Sequence, residues 1–101
     1  MRFAASIEYT PDKAKIEAVR PAHRKYLTGL LQSGRLAAAG PFTDDTGALI
    51  VYEADTQEQA EELLKRDPFH DGGIFVRWTM KPWKIVFGKR ELFPDGGPPP
   101  I

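Results

Sequence analysis

The chain of 101 residues contains no cysteine and only two histidines, and neither sign of charge is in excess. Without cysteine it can form neither a disulfide framework nor a thiolate metal site. Fourteen basic and fourteen acidic residues cancel, so the basic surface on which nucleic-acid binding depends is missing. No apolar run approaches the ~18 residues that a membrane-spanning helix needs. We therefore expect a cytoplasmic protein that binds neither nucleic acid nor a membrane.

The length and composition fit a single globular domain. A hydrophobic content of 42% and a charged content of 28% are ordinary, and the chain is long enough for one core but not for two. The glycine-rich phosphate and cofactor motifs and the nucleophile elbow are absent, so no cofactor is expected. We assign residues 1–88 to the domain. The Pro- and Gly-rich residues 89–101 form a tail, with Leu92 and Phe93 as its expected anchors.

The order of the predicted elements is β-α-β-β-α-β. Apolar and polar residues alternate over residues 2–9, which is typical of a strand. The other predicted elements are strands over 35–42, 48–54 and 74–80, the last continuing or restarting after Pro82, and helices over 21–33 and 56–67. This order predicts a ferredoxin-like α+β fold, an antiparallel sheet with both helices on one face.

Prolines and capping residues set the predicted helix ends. Pro21 fits the first position of a helix, where its missing N–H is not needed. Thr56 is a good N-cap, and Gln59 completes a capping box three residues later. Pro68 should end the second helix at or before Asp67.

The sheet face that points away from the helices is predicted to be apolar in either register. Two strands carry large apolar residues on both faces: Leu49, Val51 and Phe75 on one, and Ile50, Val76 and Trp78 on the other. A monomer would expose a patch large enough to require a partner. We therefore expect a homodimer that packs sheet face on sheet face.

His23 is the most informative polar residue of the first predicted helix. It shares a helical face with Tyr26 and Leu30, so its ring should point toward the sheet. A buried neutral imidazole needs a hydrogen-bond partner. Asp67 is the best candidate, because it lies at a forced helix end and the two helices pack side by side. An aspartate there would fix the tautomer of a general base; a purely structural core pair is the alternative.

Other candidates for ligand contact are Arg20, Gly40, Pro41, Phe42 and Phe69. The arginine could reach an anionic group, the strand end at 40–42 allows a ligand to approach the backbone closely, and the phenylalanine could stack on an aromatic ring. A surface arginine, a hairpin-shaping turn and a core aromatic residue are the alternatives. His70 is predicted to be solvated in a loop. The two histidines lack the spacing of metal ligands, so no metal site is predicted.

Four segments follow one another in a distinctive order: RPAHRKYLTGLL, SGRLAAAGPF, DPFHDGGIF and VRWTMKPWKIVF. With them, the chain resembles the YciI-like (YCII-related) family of the dimeric α/β-barrel superfamily over residues 1–88. The resemblance implies a sheet-on-sheet dimer and a pocket centred on a histidine–aspartate pair, here His23 and Asp67. A relative that dehydrochlorinates a chlorinated hydroxyhydroquinone implies that the scaffold can do acid–base chemistry on an aromatic ring.

Residues and resemblance together favour a cofactor-free lyase or isomerase that acts on a small cyclic or phenolic compound. His23 would move the proton, Asp67 would orient the imidazole, and backbone near residues 40–42 would hold an oxygen. The alternative is a non-catalytic small-ligand-binding or accessory interaction protein with a structural His–Asp pair. The hairpin at 43–47 is shorter than in some members, so no substrate is transferred from them.

Overall fold

The computed structural model describes residues 1–93, which form a four-stranded sheet with its helices on one face. The elements are β1 (Arg2–Tyr9), α1 (Lys13–Gln32), β2 (Leu36–Pro41), β3 (Gly47–Glu53), α2 (Gln57–Lys65), α3 (Pro68–Asp71) and β4 (Phe75–Trp83). The strand order is β2-β3-β1-β4, and all neighbouring strands are antiparallel. This confirms the predicted ferredoxin-like α+β fold. No helix within residues 1–93 is long and apolar enough to cross a membrane.

The core lies between the sheet and the helices, and the two central strands supply most of its floor. Every second residue of β1 is buried: Phe3, Ala5, Ile7 and Tyr9. The residues opposite the first three on β3 are buried as well: Tyr52, Ile50 and Ala48. The alternation of apolar and polar residues along β1 therefore predicted correctly which face of the strand is buried.

Helix α1 begins at Lys13, well before the predicted start at residue 21, and Pro21 lies inside it. The Asp12 side chain caps the helix by accepting the Lys15 N–H at 3.2 Å, and Ile16 is buried against the sheet. Pro21 removes one helical hydrogen bond. It is exposed, so water can satisfy the carbonyl that loses its donor. The prediction that a helix starts at Pro21 is wrong, because the cap and the buried Ile16 sustain the earlier turns.

Helix α2 has the predicted cap and the predicted end. The Thr56 Oγ1 accepts the Gln59 N–H at 3.2 Å, and the Gln59 Oε1 accepts the Asp55 N–H at 3.1 Å. The helix ends at Lys65, before Asp67. The capping box therefore forms, but the Gln59 side chain bonds the N–H of Asp55, one residue before the N-cap, instead of the N–H of Thr56.

Residues 68–71, predicted as a loop, form the single helical turn α3. Pro68 occupies its first position, and the Asp67 Oδ1 accepts the Phe69 N–H at 2.9 Å. Asp67 and Pro68 therefore follow the end of α2 and also begin α3, whereas the prediction treated them only as the end of a helix. His70 lies in this turn and is half-buried, so it is less exposed than the predicted loop position implied.

The open face of the sheet, which points away from the helices, is less apolar than predicted. Leu49 is 43% exposed there, beside the buried Val51. Strand β4 contributes polar side chains to this face: Arg77, Thr79 and Lys81. Phe75, predicted to share a face with Leu49, is instead buried in the core, because the β1–β4 register shifts next to Tyr9. The sheet-on-sheet homodimer stays a prediction.

The described part of the tail returns to the sheet. The Lys89 carbonyl accepts the N–H groups of Leu92 and Phe93, and the Arg2 guanidinium lies 5.8 Å from the centre of the Phe93 ring, within the range of a cation–π contact. Leu92 is 67% exposed. Of the two predicted anchors, Phe93 contacts the domain and Leu92 does not. Residues 94–101 of the predicted tail lie outside the described residues.

Candidate functional site

His23 and Asp67 are in direct contact in the protein interior. The His23 Nδ1 lies 2.7 Å from Oδ1 and 2.9 Å from Oδ2 of Asp67. Asp67 is fully buried, and His23 is 7% exposed. The two side chains predicted as a pair therefore meet across 44 residues of chain, because α1 carries one of them against the turn that carries the other.

Asp67 determines which His23 nitrogen carries the proton. Its carboxylate accepts the Phe69 N–H as well as facing the His23 Nδ1. An ionised carboxylate only accepts hydrogen bonds, so Nδ1 of the neutral imidazole is the protonated nitrogen. The Nε2 atom is then left with a lone pair that can accept a proton.

Aromatic rings enclose the imidazole. The Phe69 ring lies parallel to it, with 3.8 Å between centroids and 3° between planes, and Phe75 meets it edge-on at 6.2 Å. Tyr9 contacts both phenylalanines, at 5.6 and 6.2 Å. Phe69 was predicted to stack on a ligand, yet one face of its ring is covered by His23. The rings hold the imidazole in one plane next to Asp67.

Three tyrosine hydroxyls lie within the electrostatic influence of Asp67. Burial, and after it the Asp67 carboxylate, raises the pKa of Tyr9 to about 12; the same two causes raise the pKa of Tyr26 and the pKa of Tyr52. At neutral pH all three hydroxyls are therefore hydrogen-bond donors. Tyr26 donates to the Leu63 carbonyl at 2.7 Å. The Tyr52 hydroxyl is buried and has no hydrogen-bond partner within residues 1–93.

Replacing Tyr26 with phenylalanine should lower the free energy of unfolding by about 1 kcal/mol, because it removes a formed hydrogen bond between α1 and α2. Tyr52→Phe should leave that free energy unchanged or raise it, since its hydroxyl is buried without a protein partner. Urea unfolding followed by tryptophan fluorescence measures both. An equal loss of about 1 kcal/mol in Tyr52→Phe would contradict the prediction and indicate an internal water on that hydroxyl.

A cavity of about 240 Å³ opens between the first turns of α1 and the β2–β3 hairpin. Its charged lining residues are Lys13, Glu17, Arg20 and Asp45. Tyr9 also lines it, and the ring of Tyr9 contacts Phe69 edge-on. One wall of the cavity is therefore part of the aromatic cluster that surrounds His23.

Of the other predicted ligand contacts, Arg20 lines this cavity, whereas those at the end of β2 do not. Gly40, Pro41 and Phe42 are exposed at the end of β2 and just beyond it, and the contacts of His23 described above involve other residues. Their role in ligand binding stays a prediction. Tyr9 was not predicted as a site residue, because its place in a strand of alternating buried residues marked it only as core. No group of three or more His, Cys, Asp or Glu side chains within residues 1–93 could hold a metal ion.

Fold and site together define a ferredoxin-like α+β protein of the dimeric α/β-barrel type with a buried histidine–aspartate pair. The family model of the YCII-related domain matches residues 1–84, and the chain belongs to this family. Protein YciI of Escherichia coli O6:H1 is 34% identical in an alignment of length 93 that covers 78% of this chain and 95% of that protein. An uncharacterized protein of Haemophilus influenzae is 30% identical in an alignment of length 95 that covers 84% of this chain and 95% of that protein.

One solved structure with the same fold is an enzyme. It is the 5-chloro-2-hydroxyhydroquinone dehydrochlorinase TftG of Burkholderia phenoliruptrix, in complex with 2,5-dihydroxybenzoquinone. The TM-score is 0.72 at 26% identity, and the match covers 83% of this chain and 94% of that chain. These comparisons confirm the family and the fold that the four sequence segments predicted.

Proposed function

We propose that the protein is a cofactor-free acid–base enzyme, a lyase or isomerase that acts on a small cyclic or phenolic compound. One observation carries the proposal: the His23 Nδ1 lies 2.7 Å from a carboxylate of Asp67 that is fully buried. This contact leaves Nε2 as a base held in one orientation. The structural similarity to a dehydrochlorinase supports a reaction on a small molecule.

In this proposal His23 transfers the proton, and Asp67 holds the His23 imidazole in position. The Nε2 atom takes a proton from a hydroxyl or a ring carbon of the substrate, and the Asp67 carboxylate stabilises the imidazolium that forms. An isomerase would return the proton to a second substrate atom. A lyase would release a leaving group with its electron pair while a double bond forms. A positioned base contributes about 10²–10⁴-fold to the rate.

A structural role for the pair is the second candidate, in a protein that binds a small ligand or a partner without turning it over. The low exposure of His23 favours it, and so does the cavity beside Tyr9, whose lining residues do not include His23. In that case the hydrogen bond between His23 and Asp67 would mainly tie α1 to the start of α3. Activity of the His23 variant separates the two candidates.

We expect His23→Gln to lower the catalysed rate by 10²–10⁴-fold, because the general base is removed. Two readouts apply: chloride release from 5-chloro-2-hydroxyhydroquinone, and deuterium incorporation from D₂O into the ring of 2,5-dihydroxybenzoquinone, followed by NMR. His70→Gln is the matched control, since it removes the other histidine, which is half-buried on α3. Circular dichroism checks that each variant is folded.

Two outcomes would overturn the proposed function. The wild type would convert neither compound faster than buffer does, or folded His23→Gln would retain the wild-type rate. Either result would favour the structural role of the pair.

A further inference from the structure

We infer that the cavity between α1 and the β2–β3 hairpin binds an ionised oxygen of the substrate, held by the Arg20 guanidinium and the Tyr9 hydroxyl. This inference rests on the proposed function and narrows its substrate class. The substrate would carry a phenolate, an enolate or a carboxylate.

Arg20 supplies the positive charge of this subsite. Arg20 is half-buried in the cavity wall, and its guanidinium forms no hydrogen bond or ion pair with any of residues 1–93. Glu17 and Asp45 line the same cavity, yet neither is paired with it. A guanidinium presents five N–H donors in a planar fork that matches an oxyanion. A partly desolvated arginine without a protein partner is suited to receive one from a ligand.

Tyr9 supplies a neutral donor at the same place. Its hydroxyl is protonated at neutral pH, since burial raises its pKa to about 12. The positive charge of Arg20 lowers the pKa of Tyr9, so the guanidinium lies close enough to influence that hydroxyl. A charged donor and a neutral donor facing one cavity form a site for a negatively charged oxygen.

The subsite lies next to the aromatic cluster that surrounds His23, although His23 does not line the cavity. Arg20 lies three residues before His23 on α1, so both side chains project from one face of the helix. The Tyr9 ring contacts Phe69, which stacks on the imidazole. A ring held by its oxygen at Arg20 would therefore lie against Tyr9, on the side of the cavity that faces this cluster. An ionised oxygen also donates electrons into the ring, which makes the ring carbons able to accept a proton from the imidazolium.

Isothermal titration calorimetry at pH 7.5 tests the inference with two probes of similar size. 2,5-Dihydroxybenzoquinone has acidic hydroxyls that are ionised at this pH, whereas hydroquinone is neutral. The wild type should bind the ionised probe at least tenfold more tightly. Arg20→Gln should weaken binding of the ionised probe at least tenfold and leave the neutral probe unchanged. Arg24→Gln, an exposed arginine one turn further along α1, is the matched control and should change neither affinity.

Tyr9→Phe should weaken binding of the ionised probe several-fold. The inference is wrong if the wild type does not bind this probe, binds both probes equally, or binds it equally well after Arg20→Gln. Binding in His23→Gln keeps this result separate from the proposed function. Binding that depends on Arg20 and persists without His23 establishes the subsite whether or not the protein turns a substrate over.

Discussion

Gly47→Ala should lower the free energy of unfolding by about 3 kcal/mol, the upper end of the usual cost of overpacking a protein interior. Gly47 is buried at the start of β3, opposite Glu8 on β1. A Cβ at this position would overlap the Ile7 carbonyl oxygen and lie 3.0 Å from the Ile7 carbonyl carbon. Both are backbone atoms of the central strand, so no change of rotamer can relieve the clash. The two central strands would have to separate locally.

Gly40→Ala is the matched control for this prediction. A Cβ on Gly40 would meet no atom within 4 Å, and neither glycine has a positive φ, so only the space differs. We expect Gly40→Ala to change the free energy of unfolding by less than about 1 kcal/mol. Any increase would come from the lower conformational entropy of the unfolded chain. Urea unfolding and thermal melts measure both variants; about 3 kcal/mol corresponds to a fall of roughly 12 °C or more in Tm. Equal stabilities would contradict the close approach of β1 and β3.

Asp67→Ala should lower the free energy of unfolding by about 2–4 kcal/mol. The substitution removes the acceptor that caps α3 at the Phe69 N–H, a loss of about 1 kcal/mol. It also leaves the buried Nδ1–H of His23 without a partner, which costs about 1–3 kcal/mol. The exposed Asp71, replaced by alanine, is the control and should change stability by less than about 0.5 kcal/mol.

Asp67→Asn should cost less stability but reverse the tautomer of His23. With the asparagine oxygen in the place of Oδ1, it can still accept the Phe69 N–H, and the amide nitrogen takes the place of Oδ2, 2.9 Å from Nδ1. An N–H donated from there requires an unprotonated Nδ1 and leaves the imidazole proton on Nε2. The base of the proposed reaction would be lost, and the rate of that reaction should fall at least ~100-fold, as expected for an imidazole in the wrong tautomer. The ¹⁵N chemical shifts of the His23 ring report which nitrogen is protonated. An unchanged tautomer in Asp67→Asn would show that Asp67 does not set it.

The contact between His23 and Asp67 could be predicted because two local rules converge on it. Helical periodicity directs His23 toward the sheet, and the proline after Asp67 fixes a helix end beside it. Both rules depend only on neighbouring residues, so they hold even where other parts of the fold are predicted wrongly. The mistaken start of α1 at Pro21 did not change the direction of His23, since the true helix continues through the proline in the same phase.

The surroundings of the pair could not be predicted, because they depend on register and on contacts between distant segments. The shift in the β1–β4 pairing turns Phe75 into the core. No local sequence pattern predicts this shift. Tyr9 looks like any buried strand residue until the hairpin and α1 close a cavity around it. The clash at Gly47 likewise exists only once β1 and β3 are aligned.

The strand order also determines when during synthesis the site can exist. Of the four strands, β1 is synthesised first; it is central in the sheet and pairs with β3 and with β4, the last of the four. These pairings have a high contact order and form slowly. A nascent chain that lacks β4 leaves one edge of β1 open to other chains. It also lacks Phe75, so the wall of the His23 site is completed only after nearly the whole domain has been made.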